Sequence, residues 1–313
     1  MPIITGHHHI SMIVKNAQEN ATFFRDILGM RLVKKTVNQD DPSMYHLFYG
    51  DKTGSPGTGL TFFEMKNAGR THRGSNAITR IALLVEDEAS IHYFKERFTQ
   101  YNVVHEEVTS YRGQVALPFT DPDGLDYVLM TKGEGNTPSM WEKWEGSAVP
   151  LSYQILGMGP VEMTVRRPKK LANVLMNIFN YERIEESDDM AVYRSVIDDP
   201  SSEIIAKVSD EKNERPGRGS VHHLAIRVND EAEMTYWENL VKEHGYRTTG
   251  IIDRHYFHSF YFREGNGIMF ELATDGPGLH IDEDPARLGE KLTLPPFLED
   301  KRSEIEGKLD PIQ

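Results

Sequence analysis

The chain has 313 residues, 38% of them hydrophobic and 10% aromatic, which is enough for about two domains with substantial cores. Its 35 Lys and Arg stand against 48 Asp and Glu, and the resulting net charge of −13 repels nucleic acid phosphates and anionic membrane surfaces. Cysteine is absent, which excludes disulfides, a thiolate nucleophile and sulfur ligation, so any metal would be held by His, Asp, Glu or water.

No apolar run approaches the ~18 residues of a spanning helix, and no basic then apolar leader opens the chain, so the expected location is the cytoplasm. The first predicted element is the strand in "GHHHISMIV", residues 6–14. Three successive histidines invite comparison with a purification tag, but "SVHHLAIRV" at 220–228 repeats the arrangement of a histidine pair feeding a strand, and tags do not recur inside a chain. The stretch "NAQENATFFRDILGM" predicts a helix from an Asn16 cap to Gly29, with Phe23, Phe24, Ile27 and Leu28 on one face. Three short strands follow in "RLVKKTV", "MYHLFYG" and "GLTFFEM".

This unit of strand, helix and three strands recurs. Its first strands begin at His9, Arg80, Pro160 and His223, and the later helices fall at 86–101, 166–181 and 229–246. The fold class is therefore α+β, built from four βαβββ modules. Residues 1–135 make an N-terminal domain of two modules, the Gly- and Pro-rich 136–152 a linker, and 153–275 a C-terminal domain of two more. A polar, Pro-rich tail, 276–313, is expected to wrap the surface.

The equivalent first-strand positions hold His9 and His223 in the outer units but Arg80 and Pro160 in the inner ones, so only the outer units look functional. Alternation along a strand predicts that one histidine of each pair points into a cleft while its neighbour points away or serves from the strand end. Glu271 supplies a third candidate, because a carboxylate among Ile268, Met269, Phe270 and Leu272 is costly without a cation or strong donors. Val128 stands at the corresponding place in the second unit, so the fold itself does not demand the acid. Glu64 is a rival acid in the first unit, one position out of register. Two imidazoles and one carboxylate suit Fe(II) with open positions.

These stretches, together with "HHIS", "FFRDILGMRLVKKTV", "YHLFYGDKTGSPGT", "FYFREGNGIMFE" and "DEDPARLG", resemble the vicinal oxygen chelate superfamily over nearly the whole chain. Within it, the chain resembles the ring-cleaving dioxygenases that open hydroquinones, including chlorinated ones. The resemblance implies two curved-sheet, glyoxalase-like domains and Fe(II) ligands at His9, His223 and Glu271, with Mn(II) as the alternative ion. It also implies roles beside the ligands or against substrate for His8, His222, Arg254 and Tyr261. His255 and His258 near Arg254 depart from the pattern of the chlorohydroquinone enzymes. The implied partners are a small aromatic diol and O2, with self-association into a homo-oligomer left open. Ligands drawn from units one and four require those units to pack together, leaving two and three to pair, with one metal per chain. Para-hydroquinones are expected to outrun catechols, since one bound oxygen leaves more of the positioning to the protein. Two alternatives remain: a glyoxalase-like metal-dependent isomerase, for which Glu64 would be a second acidic ligand, and a metal-free protein that binds a quinone or drug.

Overall fold

The computed structural model describes residues 2–134, 137–196 and 200–313, so the expected domain boundary at 135/136 lies outside the described residues. The first unit comprises β1 (His7–Val14), α1 (Ala17–Ala21) running into a π-helical turn at Thr22–Ile27, β2 (Arg31–Val37), β3 (Tyr45–Gly50) and β4 (Gly59–Glu64). The second comprises β5 (Ala77–Val85), α2 (Glu88–Gln100), β6 (Val104–His105), β7 (Thr109–Tyr111), β8 (Gln114–Thr120) and β9 (Asp126–Thr131). In the third are β10 (Gly157–Val165), α3 (Pro168–Asn173) with a π-helical turn at Val174–Ile178, β11 (Glu182–Glu186), β12 (Met190–Arg194) and β13 (Ile204–Val208). The fourth contains β14 (Ser220–Val228), α4 (Glu231–Glu243), β15 (Ile252–Asp253), β16 (Phe257–Arg263) and β17 (Met269–Pro277).

Local chemistry accounts for these boundaries. Asn16 accepts from the Glu19 amide at 2.8 Å, while Asp87 and Asp230 accept from Ser90 and Glu233 at 2.9 Å, so three of the four unit helices start on a side-chain cap. The first helical segment stops before Gly29, whose φ of +75° favours glycine, and a Cβ there would meet Val149 at 2.5 Å.

Two curved sheets result, and each combines units from both halves of the chain. Units four and one share an eight-stranded sheet in the order β15-β16-β17-β14-β1-β4-β3-β2, joined by antiparallel β14 and β1. Units two and three share the other, joined by antiparallel β5 and β10. Alternate positions Ile10, Met12 and Val14 enter the hydrophobic core with the helices, whereas His9, Ser11 and Ile13 line a cavity. No helix among the described residues is long and apolar enough to cross a membrane.

The tail is more firmly attached than its composition implies. Leu288, Leu294, Leu298, Ile305 and Leu309 are buried, and α5 (Arg302–Glu306) forms near the end. Asp282 and Glu283 both pair with Lys34 of β2, whose side chain is entirely buried; the Asp282 contact is 2.6 Å.

Candidate metal centre and active site

Pairing of β1 with β14 brings the two histidine pairs together, and the seam carries two β-bulges. Between His7 and His9 the extra residue is on β1, at His8; between Ser11 and Met12 it is on β14, at His222. Simple alternation has each neighbour point away or serve from the strand end. The bulges re-aim it instead: His8 Nδ1 lies 2.9 Å from His9 Nδ1, and His222 Nδ1 lies 2.8 Å from His223 Nδ1. A histidine pair gives no local sign of a bulge, which is why sequence reasoning missed it.

The His8 contacts fix a tautomer. Its Nε2 is 3.1 Å from the Thr274 carbonyl, which can only accept, so Nε2 carries the proton. Burial, with the His9 ring beside it, holds the His8 pKa down at about 3. Neutral His8 then accepts at Nδ1 from the His9 Nδ1–H, and the His9 Nε2 lone pair is free to bind a cation.

Glu271 closes the cluster from β17. Its Oε2 is 3.1 Å from His9 Nε2 and 2.7 Å from His223 Nε2, and the two imidazole nitrogens are 3.4 Å apart. Its other oxygen, Oε1, accepts from the Tyr261 hydroxyl at 2.9 Å. Burial raises the Glu271 carboxyl, and positive charge on the two imidazoles outweighs it and holds the group well below the ordinary carboxylate range; a bound cation would supply that charge with both imidazoles neutral. Burial raises the Tyr261 phenol, which remains a donor. Oε2 is buried without a hydrogen-bond donor. Two Nε2 lone pairs and an orphaned carboxylate oxygen converging on one point fit a divalent cation. Among the described residues this is the one cluster of three metal-ligating side chains.

The cluster opens into a cavity of about 420 Å³ lined by Phe48, Phe63, Phe257, His46, His222 and Arg254, among others. Arg254 lies over the Tyr261 ring, 5.5 Å from its centroid, and pairs with Asp40 at 3.2 Å. Gln39 donates to the Arg254 carbonyl at 2.7 Å, so the loop after β2 fixes Arg254 in the cavity wall. His8 stands behind His9 rather than lining this cavity, and His255 and His258 also lie off it, facing Asp282 and Glu231 at 3.6 Å.

The strand registers decide the rival acid. Thr61 pairs with Ser11 as Glu271 pairs with Ala225, and Ser11 and Ala225 each sit two residues after a ligand histidine. Thr61, not Glu64, is therefore the counterpart of Glu271. Glu64 is three positions away on the opposite face, where it accepts from the Ala17 amide at 2.8 Å and serves the start of α1. Sequence reasoning also missed the polar row Ser11, Thr61 and His46, linked at 2.7 and 3.1 Å. Its signal was the alternation of "YHLFYG" and "GLTFFE". In the second sheet the corresponding face carries paired charged side chains. Buried Glu162 accepts from Tyr111 at 2.8 Å and Lys207 at 2.9 Å, beside Arg80.

A model of the Glyoxalase/Bleomycin resistance protein/Dioxygenase superfamily matches residues 6–129 and again 157–272. The chain belongs to this superfamily. It is 42% identical to "Putative ring-cleaving dioxygenase MhqA" of Bacillus subtilis over 99% of both chains. It is 30% identical to the chlorohydroquinone/hydroquinone 1,2-dioxygenase of Sphingobium indicum, over 96% of this chain and 95% of that one. A solved "putative dioxygenase" from Bacillus subtilis superposes with a TM-score of 0.91 at 36% identity, covering 100% of this chain and 99% of the other. The superfamily fold thus spans both sheets, with the His9, His223 and Glu271 cluster in only one of them.

Proposed function

We propose that this superfamily member is an Fe(II)-dependent dioxygenase that opens the ring of para-hydroquinones. The observation that carries the reading is the buried, donor-free Oε2 of Glu271 facing two imidazole nitrogens at the closed end of an aromatic-lined cavity. His9, His223 and Glu271 would hold the ion and leave positions open. Bound there, Fe(II) would make a substrate hydroxyl more acidic and bring dioxygen and the electron-rich ring together. Overall, one hydroquinone and one dioxygen combine into a single ring-opened product with no other reactant or by-product. The ring bond beside a hydroxylated carbon breaks, the ring supplies the electrons that reduce dioxygen, and both oxygen atoms stay in the product.

The protein's own groups divide the remaining work. His222 lines the cavity, and with Nδ1 accepting from the His223 Nδ1–H, its Nε2–H would donate a hydrogen bond to a substrate oxygen. Arg254, clamped by Asp40, offers a fixed positive charge to a developing oxyanion. Tyr261 orients Glu271, and His8 orients His9. The names of the relatives, which include a chlorohydroquinone/hydroquinone 1,2-dioxygenase, support the same substrate class. Thr61 at the counterpart of Glu271, with Glu64 turned away, removes the second acid that the isomerase reading needs.

The test is anaerobic loading with Fe(II) followed by oxygen uptake with methylhydroquinone and 3-methylcatechol, with isotopically labelled dioxygen to count incorporated atoms. We expect two labelled oxygens per product and a higher kcat/KM for the hydroquinone. A tenfold preference for the catechol, about 1.4 kcal/mol in transition-state stabilisation, defeats the para-diol assignment.

A further inference from the structure

We propose that the substrate carries an apolar substituent at least as large as a phenyl ring, seated on the first unit's half of the sheet. The inference rests on the ring-cleaving reading and names which hydroquinones the site takes. An engineered protein cavity of about 150 Å³ accommodates one benzene ring. At about 420 Å³, the cavity here leaves space beyond one ring for a group of similar size.

The two halves of the cavity differ in chemistry. His223, Glu271, Tyr261 and Arg254 come from the fourth unit, while the first supplies one ligand, His9, from β1 at the seam. The first unit offers a binding surface at equivalent positions: Thr61 stands for Glu271, and Phe48, which pairs with Thr61 as Tyr261 pairs with Glu271, stands for Tyr261. Phe48 and Phe63 flank His46 with ring centroids at 4.1 Å on each side, giving a three-ring platform. The platform lies on β4 and β3, one and two strand spacings of ~4.8 Å from β1, so it extends roughly 10 Å from that strand. A single ring at the ligands would leave much of it in contact with water.

Met44 and Met65 border the platform, and Met269 approaches from the fourth unit. Thioether side chains adapt their shape and make favourable contacts with aromatic rings, which suits a large apolar group of variable outline. The platform rings themselves carry no carboxylate, so an apolar group covering His46, Phe48 and Phe63 strips water from no anion there. One cavity therefore combines a duplicated frame in which unit four, with His9 of β1, performs chemistry and β3 and β4 of unit one recognise the substituent.

The experiment compares phenylhydroquinone with hydroquinone on the Fe(II)-loaded protein. Anaerobic titration calorimetry gives Kd without turnover, and oxygen uptake gives kcat/KM. We expect phenylhydroquinone to bind at least tenfold more tightly, and Met65→Asp to reduce that ratio at least fivefold. Met65 is partly exposed, so the variant should fold; Met44→Asp is a second test of the same wall. A wild-type Kd ratio below ten overturns the inference, as does a ratio unchanged in both variants. Absence of oxygen uptake with either compound defeats the ring-cleaving reading instead, and the anaerobic ratio still decides the size of the bound group.

Discussion

At the scale of single residues, the site depends on which nitrogen carries a proton and which oxygen lacks a donor. Replacing His9, His223 or Glu271 with Ala should give protein that retains no iron after anaerobic loading and desalting, with oxygen uptake lost in parallel. His8→Ala should leave the ligands in place but release the His9 tautomer, lowering metal affinity by about 10–100-fold in a chelator competition. A different buried acid permits a pH test away from the centre. Burial raises Asp121 from 3.8 to about 7. A carboxyl whose pKa is higher in the folded state stabilises the fold below its unfolded pKa, and this contribution is lost as pH rises towards 7. Asn would still accept from the Asp123 and Leu125 amides, now at 3.0 and 2.9 Å, without being charged. Asp121→Asn should therefore exceed wild-type stability at pH 8 by on the order of 1 kcal/mol, with the difference vanishing near pH 4, as read from urea unfolding. His9, His223 and Glu271 were legible as a candidate set because a lone acid in an apolar strand and paired histidines at equivalent positions are both local anomalies. The hydrogen bonds that orient them were not, since Thr274 and Tyr261 reach them only through the sheet.

Among the elements, the tail has the largest unexpected role. Lys34 is buried on β2, and its charge is met by Asp282 and Glu283 from the tail rather than by its own unit. Asp282 also accepts from Tyr256, a residue of the cavity wall, at 2.9 Å. Gly289 permits this docking: its φ is +76°, and a Cβ would fall 1.8 Å from the Leu32 carbonyl oxygen. The double substitution Asp282→Ala and Glu283→Ala should cost about 3–5 kcal/mol in urea unfolding, because it strands a buried ammonium group. Composition announced a polar tail, yet polarity alone does not reveal that two of its acids answer a lysine nearly 250 residues earlier. The unit helices were more transparent, with Asn16 and Gly29 marking the ends of the first. The π-helical turns at Thr22–Ile27 and Val174–Ile178 left no comparable signature.

For the whole molecule, one ion would join β1 to β14 and β17, tying together ligand residues 214 positions apart in the chain. Metal that binds only the folded state should raise Tm, and free metal at 100 times Kd corresponds to about 2.7 kcal/mol of added stability. The Glu271→Ala protein should show no such shift by calorimetry under nitrogen. Sequence by itself determined the four units, the paired histidines and the acid, because strand alternation, helix caps and an uncompensated charge are written in neighbouring residues. It also required units one and four to meet if His9 and Glu271 were to share an ion. Tertiary structure alone decided how they meet: a seam with one bulge on each strand, Thr61 in place of a second acid, an ionic network in the other cleft, and a group of aromatic rings on β3 and β4 beside the ligands. Those features depend on which strand lies next to which and in what register, and apolar strands of similar pattern leave that choice to the packing of the complete fold.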